Sequence, residues 1–209
     1  QLITTGVQNT LMGGSVGAAL TTGGANVALG FQALSGEDAN SYNTAIGYQT
    51  LKVQNASGNA YNTAVGAEAG KAVTTGIHNT FVGGLAGDGT QGGGDNTAVG
   101  LSALSGVSGN ENVAVGKNAL LVSTAGRNTA IGWGAGDENS TGGGNVYIGY
   151  NAAGYQNSST TGVDNTYIGA FARGSSATVG SEIAIGRFVL GQGTLTATLG
   201  VNGNGATIS

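Results

Sequence analysis

The stretch Asn43-Thr44-Ala45-Ile46-Gly47 decides the fold, because the same five-residue phrase returns along almost the whole chain. Twelve repeats of it can be read, and their first residues lie 17, 17, 19, 17, 17, 16, 16, 17, 20, 17 and 14 residues apart. The distance from the first to the fifth position of the phrase is always four residues. Self-similarity at so short and regular a spacing is typical of repeat architectures. The repeats begin at Asn9, Asn26, Asn43, Asn62, Asn79, Asn96, Asn112, Asn128, Asn145, Asn165, Glu182 and Thr196.

The composition favours an elongated, ordered body. The 209 residues include 43 glycines, no proline and no cysteine, but there is no Gly-X-Y period and 39% of the residues are hydrophobic. One tryptophan, seven tyrosines and four phenylalanines are too few for a globular core, so the core must be thin and made of small residues. Six basic and ten acidic residues are scattered singly, which argues against a nucleic-acid partner. No apolar run approaches the ~20 residues of a membrane helix, so we expect no membrane insertion in this segment.

Strand alternation divides the phrase into two faces, with the second and fourth positions on one face and the first, third and fifth on the other. The fourth position is aliphatic or Met in every repeat, which predicts that this row is a core. The third position is Ala in seven repeats, so we expect close packing, including association of copies of the chain, on that face too. After the fixed Gly we predict a turn and then a second short strand. The remaining Thr/Gly-rich segments hold all the length variation and are predicted to form loops.

These observations predict an all-β fold, a parallel β-solenoid of about twelve coils of 14–20 residues. A helical alternative fails, since each interior glycine costs a helix about 1 kcal/mol and helical solenoids need roughly 33 residues per unit. Residues 1–8 are predicted to lead in as an incomplete coil, 9–200 to form the repetitive domain, and 201–209 to lead toward a further part of the molecule. Gln1 is not a natural start, so we expect a segment of a longer polypeptide.

In such a stack, identical residues lie above one another. The asparagines are therefore predicted to form an amide ladder in which side chains bond along the axis. The fixed Gly is expected at a positive φ or at a close backbone approach. Because one coil buries only about three or four small apolar side chains, we also expect a homo-oligomer. The predicted ladder consists of Asn9, Asn26, Asn43, Asn62, Asn79, Asn96, Asn112, Asn128, Asn145 and Asn165.

Two groups of residues carry a resemblance to known families. Asn112-Val-Ala-Val-Gly116 and Ile183-Ala-Ile-Gly186 resemble the haemagglutinin-type head repeats of trimeric autotransporter adhesins. The Asn-Thr-Ala-Ile/Val-Gly form followed by Phe31 to Leu34 or Tyr48 to Leu51 is more similar to repeats of bacteriophage tail fibres. The resemblance implies left-handed parallel β-rolls assembled as a homotrimer. The spacing exceeds the 14 residues of the adhesin repeat except in the last interval, so the adhesin loop geometry does not carry over.

The function implied is a structural and adhesive segment of a tail fibre in the virion, giving rigid reach and recognition of a host-surface polysaccharide or protein receptor. The alternative is the head of a trimeric autotransporter adhesin on the bacterial surface. A third hypothesis, an ice-binding solenoid, comes from the threonine column. Ice binders usually present two threonines per coil, whereas here one of the pair is always aliphatic.

No catalytic, cofactor or metal site is predicted. His78 is the only histidine and is expected in a solvated turn, and the dinucleotide-like pattern in 87–92 is expected by chance at this glycine frequency. Asp88 with Asp95, and Asp137 with Glu138, could offer oxygen to calcium but lack a calcium-repeat pattern. The aromatic residues are the better functional candidates, since exposed rings bind sugars and anchor interfaces. The candidate receptor contacts are Phe31, Tyr48, Trp133, Tyr150 and Tyr155.

Overall fold

Each repeat of the phrase forms one short strand, and the strands stack in chain order into a single sheet. The computed structural model describes residues 6–36, 38–154, 160–201 and 204–208. The first twelve strands are parallel and form a β-solenoid of eleven turns, while the thirteenth folds back antiparallel to the twelfth. The strands are β1 Thr10–Met12, β2 Val27–Leu29, β3 Thr44–Ile46, β4 Thr63–Val65, β5 Thr80–Val82, β6 Thr97–Val99, β7 Val113–Val115, β8 Thr129–Ile131, β9 Val146–Ile148, β10 Thr166–Ile168, β11 Ile183–Ile185, β12 Ala197–Val201 and β13 Asn204–Ile208.

The strands keep one register whatever the length of the coil between them. Thr44 pairs with Thr63 across a 19-residue interval, as Thr80 pairs with Thr97 across a 17-residue interval. Even the short last interval places Ile183 beside Ala197. The turns therefore absorb every length difference, and twelve rungs at ~4.8 Å give a rod about 50 Å long.

The predicted core row is wrong. Fourth-position side chains point outward, so that Met12 is 69% and Ile131 41% exposed. The third position is the inner one, and Ala98, for example, is fully buried. Alternation separates the faces correctly, but the coil is so narrow that its interior takes the small residue and leaves the β-branched pair outside. The alanine face therefore packs within the chain, and it is not the face left for association.

The second half of each coil is also not a strand. It is a run of turns in which alternate residues adopt a left-handed conformation, as at Gln32 (φ 56°) and Leu34 (φ 52°). The Gln32 N–H donates to the carbonyl of Gly14 in the preceding coil, whereas the Leu34 N–H donates to that of Thr50 in the following coil. Such turns bond along the axis in both directions without extended strands.

Two combinations of side chains fill the interior of the coils. Four coils combine an inner alanine with a buried leucine four positions after the fixed Gly, and these leucines, Leu34, Leu51, Leu104 and Leu120, adopt φ between 47° and 55°. Where the inner residue is Phe81, the corresponding positions hold Gly70 and Gly87. A Cβ at Gly87 would lie 2.4 Å from the Phe81 ring, and one at Gly70 would lie 3.0 Å from it. One ring thus fills space that two leucines fill elsewhere.

The fixed glycine closes each of the first eleven strands at a tight corner. From Gly13 to Gly186 its φ lies between 130° and 139°, a region that L side chains rarely adopt. A Cβ at Gly100 would lie 2.6 Å from the carbonyl of Gly116 in the next coil. Both features expected of this position, a positive φ and a close backbone approach, are confirmed.

Candidate functional site

The outward strand face extends over all twelve repeats. It carries two columns, a second-position column rich in threonine and a fourth-position column of aliphatic residues. Many of these side chains are more than a third exposed, among them Val27, Leu29, Val99 and Leu199. A large contiguous apolar surface of this kind usually marks an interaction site.

Buried asparagines link successive coils behind this face. The Oδ1 of each ladder asparagine accepts the backbone N–H of the first residue of the next phrase, at 2.8–3.1 Å throughout. The Nδ2 usually donates to a carbonyl three residues before that residue, as from Asn79 to Gly93 at 2.9 Å. Direct amide-to-amide bonds occur as well, such as Asn96 Nδ2 to Asn79 Oδ1 at 3.1 Å. The column is thus mainly a ladder from side chain to backbone.

Glu182 ends the asparagine column and is fully buried. Its Oε2 accepts from the Tyr167 hydroxyl at 3.0 Å and from the Ser175 N–H at 3.2 Å, and its Oε1 accepts from the Gly193 N–H at 2.6 Å. The carboxylate therefore joins three segments of the last two coils, which a shorter amide would not reach.

Four of the predicted receptor contacts form two exposed stacks beyond the fixed Gly. Phe31 lies over Tyr48 with ring centroids 5.8 Å apart, and Trp133 lies over Tyr150 at 5.0 Å and an interplanar angle of 11°. All four are between 42% and 50% exposed. Tyr155 lies outside the described residues.

A second aromatic stack lies at the other end of the strands and was missed from the sequence. Tyr42 and Tyr61 are parallel at 5.0 Å, the His78 ring follows at 5.9 Å, and His78 Nδ1 lies 3.2 Å from an Asp95 carboxylate oxygen. Each of these residues directly precedes an asparagine of the ladder, so aligning the repeats on that asparagine would have found the stack.

Stacking along the axis limits what these rings can bind. A sugar ring packs on an aromatic face, but rings 5.0 Å apart leave no room for a guest between them. Ring edges, hydroxyl and indole groups and the outer faces of the stacks meet solvent, except on the far side of Tyr150, where the Phe171 ring packs with its centroid 5.2 Å away. The rings therefore form polar-edged ridges along the rod.

Two open grooves flank Arg127, which also directly precedes a ladder asparagine. One, of about 400 Å³, is lined by Asn110, Glu111, Gly126 and Arg127. The other, of about 440 Å³, extends from Gly126 and Arg127 to Asp164. Glycine-rich turns leave these hollows, and charged side chains of both signs border them.

The acidic residues do not converge. Within the described ranges no three His, Cys, Asp or Glu side chains lie close enough to hold a metal ion. Burial, with a smaller contribution from the charge of Glu138, raises the pKa of Asp137 to about 6. The Asp137 Oδ1 and the Asp88 Oδ1 are shielded from solvent and accept no hydrogen bond from the described residues.

Comparisons with protein-family models, with curated proteins and with solved structures found no match. The part of the chain that the structure describes has no helix long and apolar enough to cross a membrane.

Proposed function

We propose that this chain is a structural and adhesive segment of a homotrimeric bacteriophage tail fibre. The observation that carries the proposal is the outward strand face, on which an aliphatic column runs unbroken from Met12 to Leu199 beside the threonine column. A slim single coil leaves this apolar surface in water, and association of parallel copies removes it at roughly 25 cal/mol per Å². The trimer number comes from the resemblance to tail-fibre and adhesin-head repeats.

Rigid reach follows from the hydrogen bonding. From the first coil to the eleventh, each coil is bonded to the next through the strand, through the asparagine column and through the turns, so the segment acts as a spacer. The exposed ridges supply polar ring edges and charged groups along its length, which suits contact with a polysaccharide or protein receptor on a host surface. We accordingly place the protein in the virion, with a trimeric autotransporter adhesin head on the bacterial surface as the alternative setting.

Self-association is tested by sedimentation velocity of the wild type and of two matched variants. Val99→Asp places a carboxylate on the outward face, where Val99 is 36% exposed, whereas Val122→Asp makes the same change in the turns, at a residue that is 45% exposed. We expect a trimer for the wild type and for Val122→Asp, and dissociation for Val99→Asp. A monomeric wild type would overturn the proposal.

Receptor binding is tested by pull-down of purified trimer with intact host cells and with isolated surface polysaccharide. The adhesin alternative is tested by immunogold labelling, which would decorate the bacterial surface rather than phage tails.

One observation favours the ice-binding hypothesis as a second candidate. The threonine side chains at positions such as Thr44, Thr97 and Thr129 point to the outside of the coil at the regular spacing of the rungs. A thermal-hysteresis assay on the assembled protein decides, because an ice binder needs this face free and an assembly covers it. Activity that rises in the dissociated Val99→Asp variant would favour ice binding.

A further inference from the structure

We propose that copies of this chain associate side by side and in parallel, with the stacked rings of Trp133 and Tyr150 of one copy seated in the groove between Arg127 and Asp164 of the next. The inference rests on the proposed self-association and specifies which surfaces meet. The inference depends on the residues at two edges of the outward face. The Asn-side edge consists of the residue before each ladder asparagine, and the Gly-side edge of the residue after each fixed Gly.

The two edges lie at opposite ends of the same strands. In coil 7, Glu111 precedes the strand Val113–Val115 by two residues and Lys117 follows it by two. Both are exposed, and within the described chain the ion pairs are Lys71 with Glu68 and His78 with Asp95, so neither Glu111 nor Lys117 is paired. In any ring whose axis is parallel to the solenoid, the Asn-side edge of one copy meets the Gly-side edge of its neighbour, and equal coils lie at equal heights.

The grooves of one copy and the exposed rings of its neighbour can be compared by the coils to which they belong. The groove between Glu111 and Arg127 lies at coils 7 and 8, and the groove between Arg127 and Asp164 spans coils 8 to 10. On the Gly-side edge, the stacked and exposed rings of Trp133 and Tyr150 belong to coils 8 and 9. Seating both rings in the groove between Arg127 and Asp164 brings the Arg127 guanidinium to the outer face of the Trp133 ring, an arrangement that gains cation–π attraction.

The charges match as well. Lys117 is the cation next to Trp133 on the Gly-side edge, and at its height the Asn-side edge carries Glu111, with Asp95 one coil away. With equal coils at equal heights, Lys117 therefore lies opposite Glu111, whereas a shift of one coil toward Arg127 would bring two cations together. Opposite charges placed in this way fix the register of an interface.

Side-chain sizes along the edges are complementary in several further coils. A ring on one edge faces a small residue at the same height on the other edge, as Tyr61 faces Ala67 and His78 faces Gly84. In coil 2 the sizes are reversed, with Ala25 opposite Phe31. Coil 3 pairs two rings, Tyr42 and Tyr48, and so adds an aromatic contact between copies.

The chain has no cysteine, so cross-linking can test this arrangement directly. The variant carrying both Glu111→Cys and Lys117→Cys is treated with a short bis-maleimide and run on a denaturing gel. We expect covalent species up to the copy number found by sedimentation, and only monomers for either single variant, because opposite edges meet. The matched control carries Glu111→Cys with Glu138→Cys, an exposed acid elsewhere on the coil, and we expect it to stay monomeric.

Trp133 is the only tryptophan and supplies an independent readout. In the assembled wild type we expect a shift of its emission to shorter wavelength and a several-fold drop in acrylamide quenching relative to dissociated Val99→Asp. An oligomer that neither cross-links through the double variant nor protects Trp133 would overturn the edge pairing while leaving self-association standing. Cross-linking of a single-cysteine variant would indicate an antiparallel pair and would also overturn it. A monomeric wild type would remove both proposals.

Discussion

Replacing Phe81 tests whether the core is filled by coil-to-coil compensation. Phe81→Ala removes a fully buried ring between Gly70 and Gly87, and neither glycine has a side chain to fill the space. Because the variant loses the buried ring and keeps a cavity in its place, Phe81→Ala should lower the free energy of unfolding by about 3–5 kcal/mol.

The same reasoning predicts recovery. Gly87→Leu alone should destabilise by about 1–3 kcal/mol, because its Cβ would start 2.4 Å from the Phe81 ring. Combined with Phe81→Ala, the same leucine should recover part of the loss. Adding Gly70→Leu should recover a smaller further part, because its Cβ would also lie 2.8 Å from the Leu51 Cδ2, which must move aside. The left-handed backbone is no obstacle, since Leu104 and Leu120 hold φ 55° and 51° at this position.

The measurement is guanidinium denaturation followed by far-ultraviolet circular dichroism. All variants are compared at one protein concentration, because assembly shifts apparent stability by mass action. Compensation predicts strong non-additivity between positions 70, 81 and 87. If the triple variant were as unstable as Phe81→Ala, or if Gly87→Leu alone were neutral, the packing argument would be wrong.

Three further predictions concern the ladder, the corner and a buried acid. Asn96→Ala leaves the buried N–H of Asn112 without its acceptor and removes the shorter of two hydrogen bonds to the Gly109 carbonyl, so it should cost about 2–4 kcal/mol. Exposed Asn55→Ala should change the free energy of unfolding by less than about 0.5 kcal/mol in the same denaturation assay. Gly100→Ala meets both a φ of 136° and a carbonyl at 2.6 Å and should cost at least about 3 kcal/mol, while Gly92→Ala, whose Cβ would first contact an atom at 3.4 Å, should be tolerated when thermal unfolding is compared. The folded pKa of Asp137 is raised from 3.8 to about 6, so its ionisation costs stability as pH rises through 6. Asp137→Asn should therefore stabilise at pH 7, with a benefit that fades toward pH 4 in a pH series of melting temperatures.

The strands, their parallel order and their register could be read from the sequence because they depend only on the fixed distance between Asn and Gly in each phrase. Which face of the strands is interior could not be read from the sequence, because residues alternate between the two faces in the same way whichever face is buried. The width of the coil decides it, and that width is set by the turns. Leu34 and Gln32 adopt left-handed conformations that propensity assigns to glycine or asparagine, so the second half of the coil was predicted as a strand.

The candidate site was predictable in part for a similar reason. Rings after the fixed Gly, such as Trp133 and Tyr150, stand out because a rigid phrase precedes them. Tyr42 and Tyr61 follow turns of variable length, and only counting backward from the asparagine places them in one column. The grooves beside Arg127 arise from turn geometry in several coils at once, for which no local pattern exists.

The direction of the hydrogen bonds between coils has a mechanical consequence. Each strand crosses the rod, so these bonds point along its length, and pulling the two ends of one isolated chain apart would open them coil after coil at low force. Side-by-side copies change the geometry of loading, because part of the tension then passes sideways into neighbouring chains and must slide whole faces past one another. A fibre built from this segment should therefore resist stretching far better than its single strand of coils, and it should fail abruptly rather than by gradual unwinding.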